Sequence, residues 1–105
     1  MKKVSRKNID RSAGAEAISA KAITVGVEIG VAVSTCVWDM GTDLLHEYAH
    51  RLDINTATST VRLYFSDLDL TSWGNESRTE RMEDRLHRAI AQLVPRIHAS
   101  TYAQR

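Results

Sequence analysis

Hydrophobic and polar residues alternate with a period of two from Ile23 to Val37, which is the most regular pattern in the chain. One side of the alternation carries only β-branched residues, and the other carries mainly small ones. This pattern predicts a strand. A straight strand of that length would span about 50 Å at about 3.3 Å per residue. Because a compact domain of this size has a radius of gyration of about 13 Å, we expect the segment to bend or to form a hairpin near residues 28–30.

A second alternating segment predicts a strand at residues 61–66. The last third of the chain has the period of an amphipathic helix instead. Ser77 and Glu80 have the spacing of a capping box that would start this helix, and Pro95 predicts a kink or a stop near its end. Its apolar stripe comprises Met82, Leu86, Ala89, Ile90, Leu93 and Ile97.

Two more helices are predicted between these elements. Alanine-rich residues 13–21 favour a short helix. After a turn at residues 39–42, Leu45, Tyr48, Ala49 and Leu52 are spaced as the apolar seam of a helix that ends near residues 53–55. The segment 67–74 is predicted to be a loop.

The predicted fold is therefore a small α+β domain. Its antiparallel sheet consists of the long bent strand or hairpin at 23–37 plus the strand at 61–66, packed against two to three helices. An all-α four-helix arrangement, with residues 20–52 helical throughout, is the alternative because small residues recur every four positions.

Composition places the chain among ordinary globular domains, with 43% hydrophobic and 26% charged residues. We expect a single domain over 1–105 with a basic flexible tail at 1–7 and a loose tail at 98–105. The single cysteine, Cys36, excludes an intrachain disulfide and fits a cytoplasmic location. A membrane segment is not expected, because the apolar run is short and carries Glu28 near its middle.

The candidate chemistry lies in the sequence His46-Glu47-x-x-His50. Two histidines four residues apart lie on one face of a helix, where they can hold a zinc ion. Glu47 would then act as a general base on a zinc-bound water. The same residues have a simpler interpretation, in which Glu47 and Arg51 form a helical ion pair and the histidines only pack; no cofactor is expected in that case.

With this pentad the chain resembles the zincin metallopeptidases, whose signature it is. The resemblance implies that zinc is the cofactor, that His46, His50 and Glu76 are its ligands and that Glu47 is the catalytic base. It also implies an outer-sphere role for Glu80. A minimal zinc metallopeptidase is therefore the alternative function.

Four arginines recur at spacings of three and four along the last predicted helix: Arg78, Arg81, Arg85 and Arg88. They line one edge of its apolar stripe, where guanidinium groups can meet carboxylates or phosphates. The leading hypothesis is thus a small non-enzymatic interaction module, an inhibitor or accessory factor, that binds a protein partner through this arginine-lined helix face. Nucleic acid could bind the same row together with the basic N-terminal arm, and the long alternating segment suggests a homo-oligomer.

Overall fold

The protein is described by a computed structural model, which covers residues 9–43 and 48–94. Three helices and a three-stranded antiparallel sheet form the α+β fold that the sequence predicts. In chain order the elements are α1 (Arg11–Ile29), β1 (Thr35–Met40), β2 (His50–Asn55), β3 (Thr60–Phe65), α2 (Asp67–Thr71) and α3 (Glu76–Ala91).

The sheet is a meander in the order β1-β2-β3. Leu52 in the central strand lies opposite Trp38 on one side and Leu63 on the other. Since side chains alternate between the faces of a strand, this register fixes one inner face. Nine side chains belong to it: Cys36, Trp38, Met40, His50, Leu52, Ile54, Val61, Leu63 and Phe65.

The helices cover this inner face. The indole nitrogen of Trp38 donates to Ser19 Oγ at 2.9 Å, which joins β1 to α1. α1 also packs against α2 and α3. Its fully buried Ile18 and Val25 share one hydrophobic core with Leu52 and Ile54 of the sheet.

The extended segment predicted at 23–37 is wrong for its first half, because α1 continues to Ile29. Two periodicities coincide here: the β-branched residues alternate, but Ala22, Val25 and Gly26 are buried at helical spacing. Burial against the core outweighs the few tenths of a kcal/mol by which each β-branched residue disfavours helix. The hairpin predicted near residues 28–30 is replaced by a helix end at Gly30, whose φ of 82° is left-handed.

The predicted histidine helix is also wrong where it can be compared. Tyr48 lies in a turn and His50 begins β2, while residues 44–47 lie outside the described part of the chain. The signal for a strand was present: residues 50, 52 and 54 are fully buried and alternate with half-buried polar ones. The four-helix alternative fails for the same reason, since β1 and β2 both fall within residues 20–52.

The last strand and the last helix confirm the sequence analysis. β3 occupies the predicted strand, displaced by a single residue. α3 starts earlier than predicted, because Asn75 is its N-cap and accepts from the amide of Arg78. The predicted apolar stripe is buried along its described length: Met82, Leu86, Ala89, Ile90 and Leu93.

The segment predicted as a loop after β3 contains the short helix α2. Ser66 and Asp69 form a reciprocal capping box: the Asp69 amide donates to Ser66 Oγ at 3.0 Å, and the Ser66 amide donates to Asp69 Oδ2 at 2.9 Å. Two orphan amides at the helix start are thereby satisfied. This one turn of helix leads the chain from the sheet into α3.

Several predictions fall on residues outside the described ranges: the tails at 1–7 and 98–105 and the effect of Pro95. Among the described residues, no helix combines the length and the apolar character needed to cross a bilayer.

Gly14 allows α1 to approach α2 closely. A Cβ at this position would lie 2.0 Å from the carbonyl oxygen of Leu70, which is backbone and cannot move aside cheaply. We therefore expect Gly14→Ala to lower the free energy of unfolding by about 1–3 kcal/mol, the usual cost of overpacking. Helix propensity alone would give the opposite sign, since alanine favours helix over glycine by about 1 kcal/mol.

Urea denaturation followed by circular dichroism measures this change. Ser12→Ala, at an exposed position of α1, is the control and should change stability by less than about 0.5 kcal/mol. A stabilised Gly14→Ala variant would contradict the close approach.

Candidate functional site

Three of the four predicted arginines converge on one open depression beside α3. Two adjoining hollows of about 130 Å³ and 400 Å³ form it, and both are lined by Asp69, Arg78 and Arg85. Arg81 lines the smaller hollow only. The remaining residues of the depression are Met82 in the smaller hollow and Tyr48 and Ser66 in the larger one.

Asp69 lies between two of these arginines. Arg78 Nη1 is 3.9 Å from its Oδ1, and Arg85 Nη1 is 3.8 Å from its Oδ2. The capping box of α2 holds the carboxylate in place. Ion pairs of this length between partly exposed groups stabilise a fold by less than about 1 kcal/mol. Asp69 therefore orients the two guanidinium groups without occupying all of their donors.

Arg85 is fixed by two further contacts from β3. Its guanidinium carbon lies 4.5 Å from the centre of the buried Phe65 ring, within the range of a cation–π interaction. Its Nη2 also donates to the backbone carbonyl of Tyr64. These contacts hold the Arg85 side chain against β3, where it is 34% exposed.

Arg88 has an acidic partner, whereas Arg81 has none among the described residues. Arg88 pairs with Asp84 one turn earlier on α3 and lines a neighbouring hollow, to which Arg62 and Arg85 also belong. Arg81 is exposed and has no ion pair or hydrogen bond with any described residue. Arg81 is therefore the guanidinium with the most unused donors in the depression.

The other arginines of the described residues already have acidic partners. On the outer face of the sheet Arg62 Nε donates to Asp53 at 2.9 Å, and this bond lowers the pKa of the Asp53 carboxyl. Arg51 lies 3.5 Å from both Asp39 and Asp53. Among the described arginines that line hollows, Arg81 is thus the one without an acidic partner.

Such a depression can bind carboxylates or phosphates. Guanidinium groups present several N–H donors in a planar fork, and charge-assisted hydrogen bonds to an anion are about twice as strong as neutral ones. Three guanidinium groups and one carboxylate give the described charged residues of the lining a sum of +2.

The histidine of the pentad that the structure describes, His50, lies in a different place. Its ring is fully buried in the inner face of the sheet. The Gly41 amide donates to Nδ1 at 3.2 Å, so Nδ1 is the unprotonated nitrogen of the neutral ring. Nε2 then carries the proton and donates to Asp67 Oδ1 at 3.0 Å. Both ring nitrogens are engaged within the protein.

Asp67 joins this histidine to α1. Arg11 donates to it twice, from Nε to Oδ1 at 2.6 Å and from Nη2 to Oδ2 at 3.1 Å. The Arg11 hydrogen bond, followed by the one from His50, lowers the pKa of Asp67 to about 2, although partial burial opposes the change. One carboxylate in α2 thereby links α1, the start of β2 and the turn after β1.

Of the predicted zinc ligands, the structure describes His50 and Glu76. His46 and Glu47 lie outside the described residues. Glu76 is exposed at the first position of α3. Within residues 9–43 and 48–94, no three His, Cys, Asp or Glu side chains are grouped closely enough to hold a metal ion. The zincin resemblance and its site residues stay a prediction.

The spacing along α3 predicts the arginines of the depression but not their neighbours, Tyr48, Ser66, Asp69 and Phe65. A usable signal existed for two of them, since Ser66-x-x-Asp69 directly after a strand is close to the capping-box pattern. Tyr48 and Phe65 carried no such local signal.

A search of protein-family models, of curated proteins and of solved structures found no match for this chain.

The Asp67 network makes stability depend on pH with a defined sign. The folded-state pKa of about 2 lies below the unfolded value of about 3.9, so the carboxylate stabilises the fold fully above about pH 5. This stabilisation is lost as the pH falls towards 2. One pKa unit corresponds to about 1.4 kcal/mol, and screening at a partly exposed group reduces the total to about 1–2 kcal/mol.

Asp67→Asn is expected to lower the free energy of unfolding by about 1–2 kcal/mol at pH 7, and the gap to the unmodified protein should shrink as the pH approaches 3. Urea denaturation at a series of pH values measures both quantities. Asp84→Asn, which removes a half-exposed surface carboxylate, should give a small, pH-independent change. If the difference in unfolding free energy between Asp67→Asn and the unmodified protein does not narrow in acid, the lowered pKa of Asp67 is contradicted.

Proposed function

We propose that this protein is a non-enzymatic interaction module, an inhibitor or accessory factor, that binds an acidic surface of a protein partner. The binding site is the depression lined by Arg78, Arg81 and Arg85. The observation that carries the proposal is their convergence on one open hollow, where Asp69 is the one carboxylate among the described lining residues.

A protein partner is favoured over nucleic acid by the distribution of charge. The chain has a net charge of only +1. Arg88 is neutralised by Asp84, and the same helix carries Glu76, Glu80 and Glu83 beside the arginines. A nucleic-acid backbone needs several adjacent cations, because its affinity grows with the number of phosphates that are neutralised. A compact site flanked by acids suits a few carboxylates of a protein better.

The buried histidine supports a binding role over catalysis. A general base must reach a substrate proton within hydrogen-bond distance. His50 is fully buried, and Gly41 and Asp67 occupy its two ring nitrogens. In the described part of the chain its role is to hold α2 and the turn after β1 against the sheet.

Arg81→Gln tests the site, with Arg88→Gln as a matched control. Both variants remove one positive charge from α3, but only Arg81 lines the depression. We expect Arg81→Gln to weaken binding of a fluorescein-labelled polyglutamate peptide by about tenfold, the effect of losing one charge-assisted interaction of about 1.5 kcal/mol. Arg88→Gln should change it by less than about twofold, which is within the range of exposed ion pairs. Fluorescence anisotropy at low ionic strength measures both.

Two results would contradict the proposal. Equal effects of the two variants would mean that the peptide senses only net charge. Tighter, Arg81-dependent binding of a single-stranded DNA of matched length would assign the depression to nucleic acid instead.

A further inference from the structure

The charge of the depression is matched better by a dianion than by a single carboxylate. Within residues 9–43 and 48–94, the charged residues that line it are Arg78, Arg81, Arg85 and Asp69, which sum to +2. A carboxylate ligand leaves one positive charge uncompensated. A phosphate monoester carries about −1.5 to −2 at pH 7, which closely balances the site. The phosphodiesters of nucleic acids carry one negative charge each and match it less well.

The donors are arranged for a group with several acceptor oxygens. Arg85 is held by the Phe65 ring and the Tyr64 carbonyl, and Arg78 and Arg85 lie on either side of Asp69. Because these side chains are already held in place, ordering them when a ligand binds costs less entropy. Because the distances to Asp69 are 3.8–3.9 Å, donors of both guanidinium groups remain for a ligand.

The size and edge of the depression fit the same ligand. Its smaller hollow, of about 130 Å³, contains Arg81 and is suited to one compact anionic group. The larger hollow continues past Ser66 and Tyr48, which is 53% exposed, and leaves room for peptide next to that group. Ser66 Oγ accepts the Asp69 amide, so its own O–H can donate to a ligand oxygen.

We propose that the depression recognises a phosphorylated serine or threonine of the protein partner, with Arg81 supplying the charge that distinguishes a phosphate from a carboxylate. This inference rests on the proposed function and narrows the acidic surface to one modified side chain. The partner would then bind tightly only in its phosphorylated form, because a phosphate group forms strong charge-assisted hydrogen bonds with a cluster of arginines.

Three fluorescein-labelled peptides that differ only at a central serine, phosphoserine or glutamate test the proposal by anisotropy. We expect the phosphoserine peptide to bind at least about tenfold tighter than the glutamate peptide, and the serine peptide to bind weakest. Arg81→Gln should bring the phosphoserine and glutamate affinities to within about twofold of each other, while Arg88→Gln keeps the difference.

The pH dependence provides a second readout that a loss of fold would not imitate. The second pKa of the phosphate is about 6, so affinity for the phosphoserine peptide should fall between about pH 7.5 and about pH 5.5. The glutamate peptide stays ionised over this range and should bind unchanged. Circular dichroism of each variant at both pH values confirms that the fold is retained.

The outcomes separate this inference from the function on which it rests. Equal affinity for the phosphoserine and glutamate peptides overturns the phosphate assignment and leaves binding of an acidic protein intact. Binding of none of the three peptides overturns both. If inorganic phosphate competes as strongly as the phosphoserine peptide binds, the ligand is free phosphate and the peptide assignment is wrong.

Discussion

The Asp67 carboxylate is the contact on which the arrangement of this protein depends. It accepts two hydrogen bonds from Arg11 in α1 and one from His50 in β2. Two residues later in the same short helix, Asp69 lies between Arg78 and Arg85. A single turn of helix therefore holds the core elements together with one carboxylate and arranges the charged surface with the other. The buried Leu70, against which Gly14 packs, completes the connection.

The parts of the fold with one clear periodicity could be predicted from the sequence. The apolar stripe of α3 and the alternation in β3 each fit only one kind of element, and both were assigned correctly. Residues 23–29 fit both a helix and a strand, because Ala22, Val25 and Gly26 have helical spacing within an alternating run of β-branched residues. Only the presence of a packing surface decides between them, and a local pattern does not contain that information.

β2 was missed for a related reason. His46 and His50 have the spacing of one helical turn, which predicts a helix over a segment whose second half alternates. Pairing with β1 and β3 on both sides, with Leu52 between Trp38 and Leu63, satisfies the backbone of this strand and buries its apolar side chains. These are non-local interactions, so they override the weak helical preference of a few residues.

The candidate site was predictable to the extent that it lies on one helix. The spacing of Arg78, Arg81 and Arg85 places them together along α3, whatever else surrounds them. Their neighbours come from α2, from the end of β3 and from the turn before β2. Tertiary structure is needed to show that Asp69 lies between Arg78 and Arg85 and that the Phe65 ring contacts Arg85. It also shows that Arg88 is paired with Asp84 and lies outside the depression. Sequence alone therefore identifies a basic face, and the fold adds the neighbours that shape it into the depression.

The most direct measurement of this account is a titration of the labelled protein with the phosphoserine peptide, followed by NMR of the arginine side-chain Nε–H groups. The account predicts that the resonances of Arg78, Arg81 and Arg85 shift together and saturate at one equivalent of peptide. The resonances of Arg51 and Arg62, on the outer face of the sheet, should stay in place. If the resonances of Arg51 and Arg62 shift most while those of Arg78, Arg81 and Arg85 do not move, the account is contradicted.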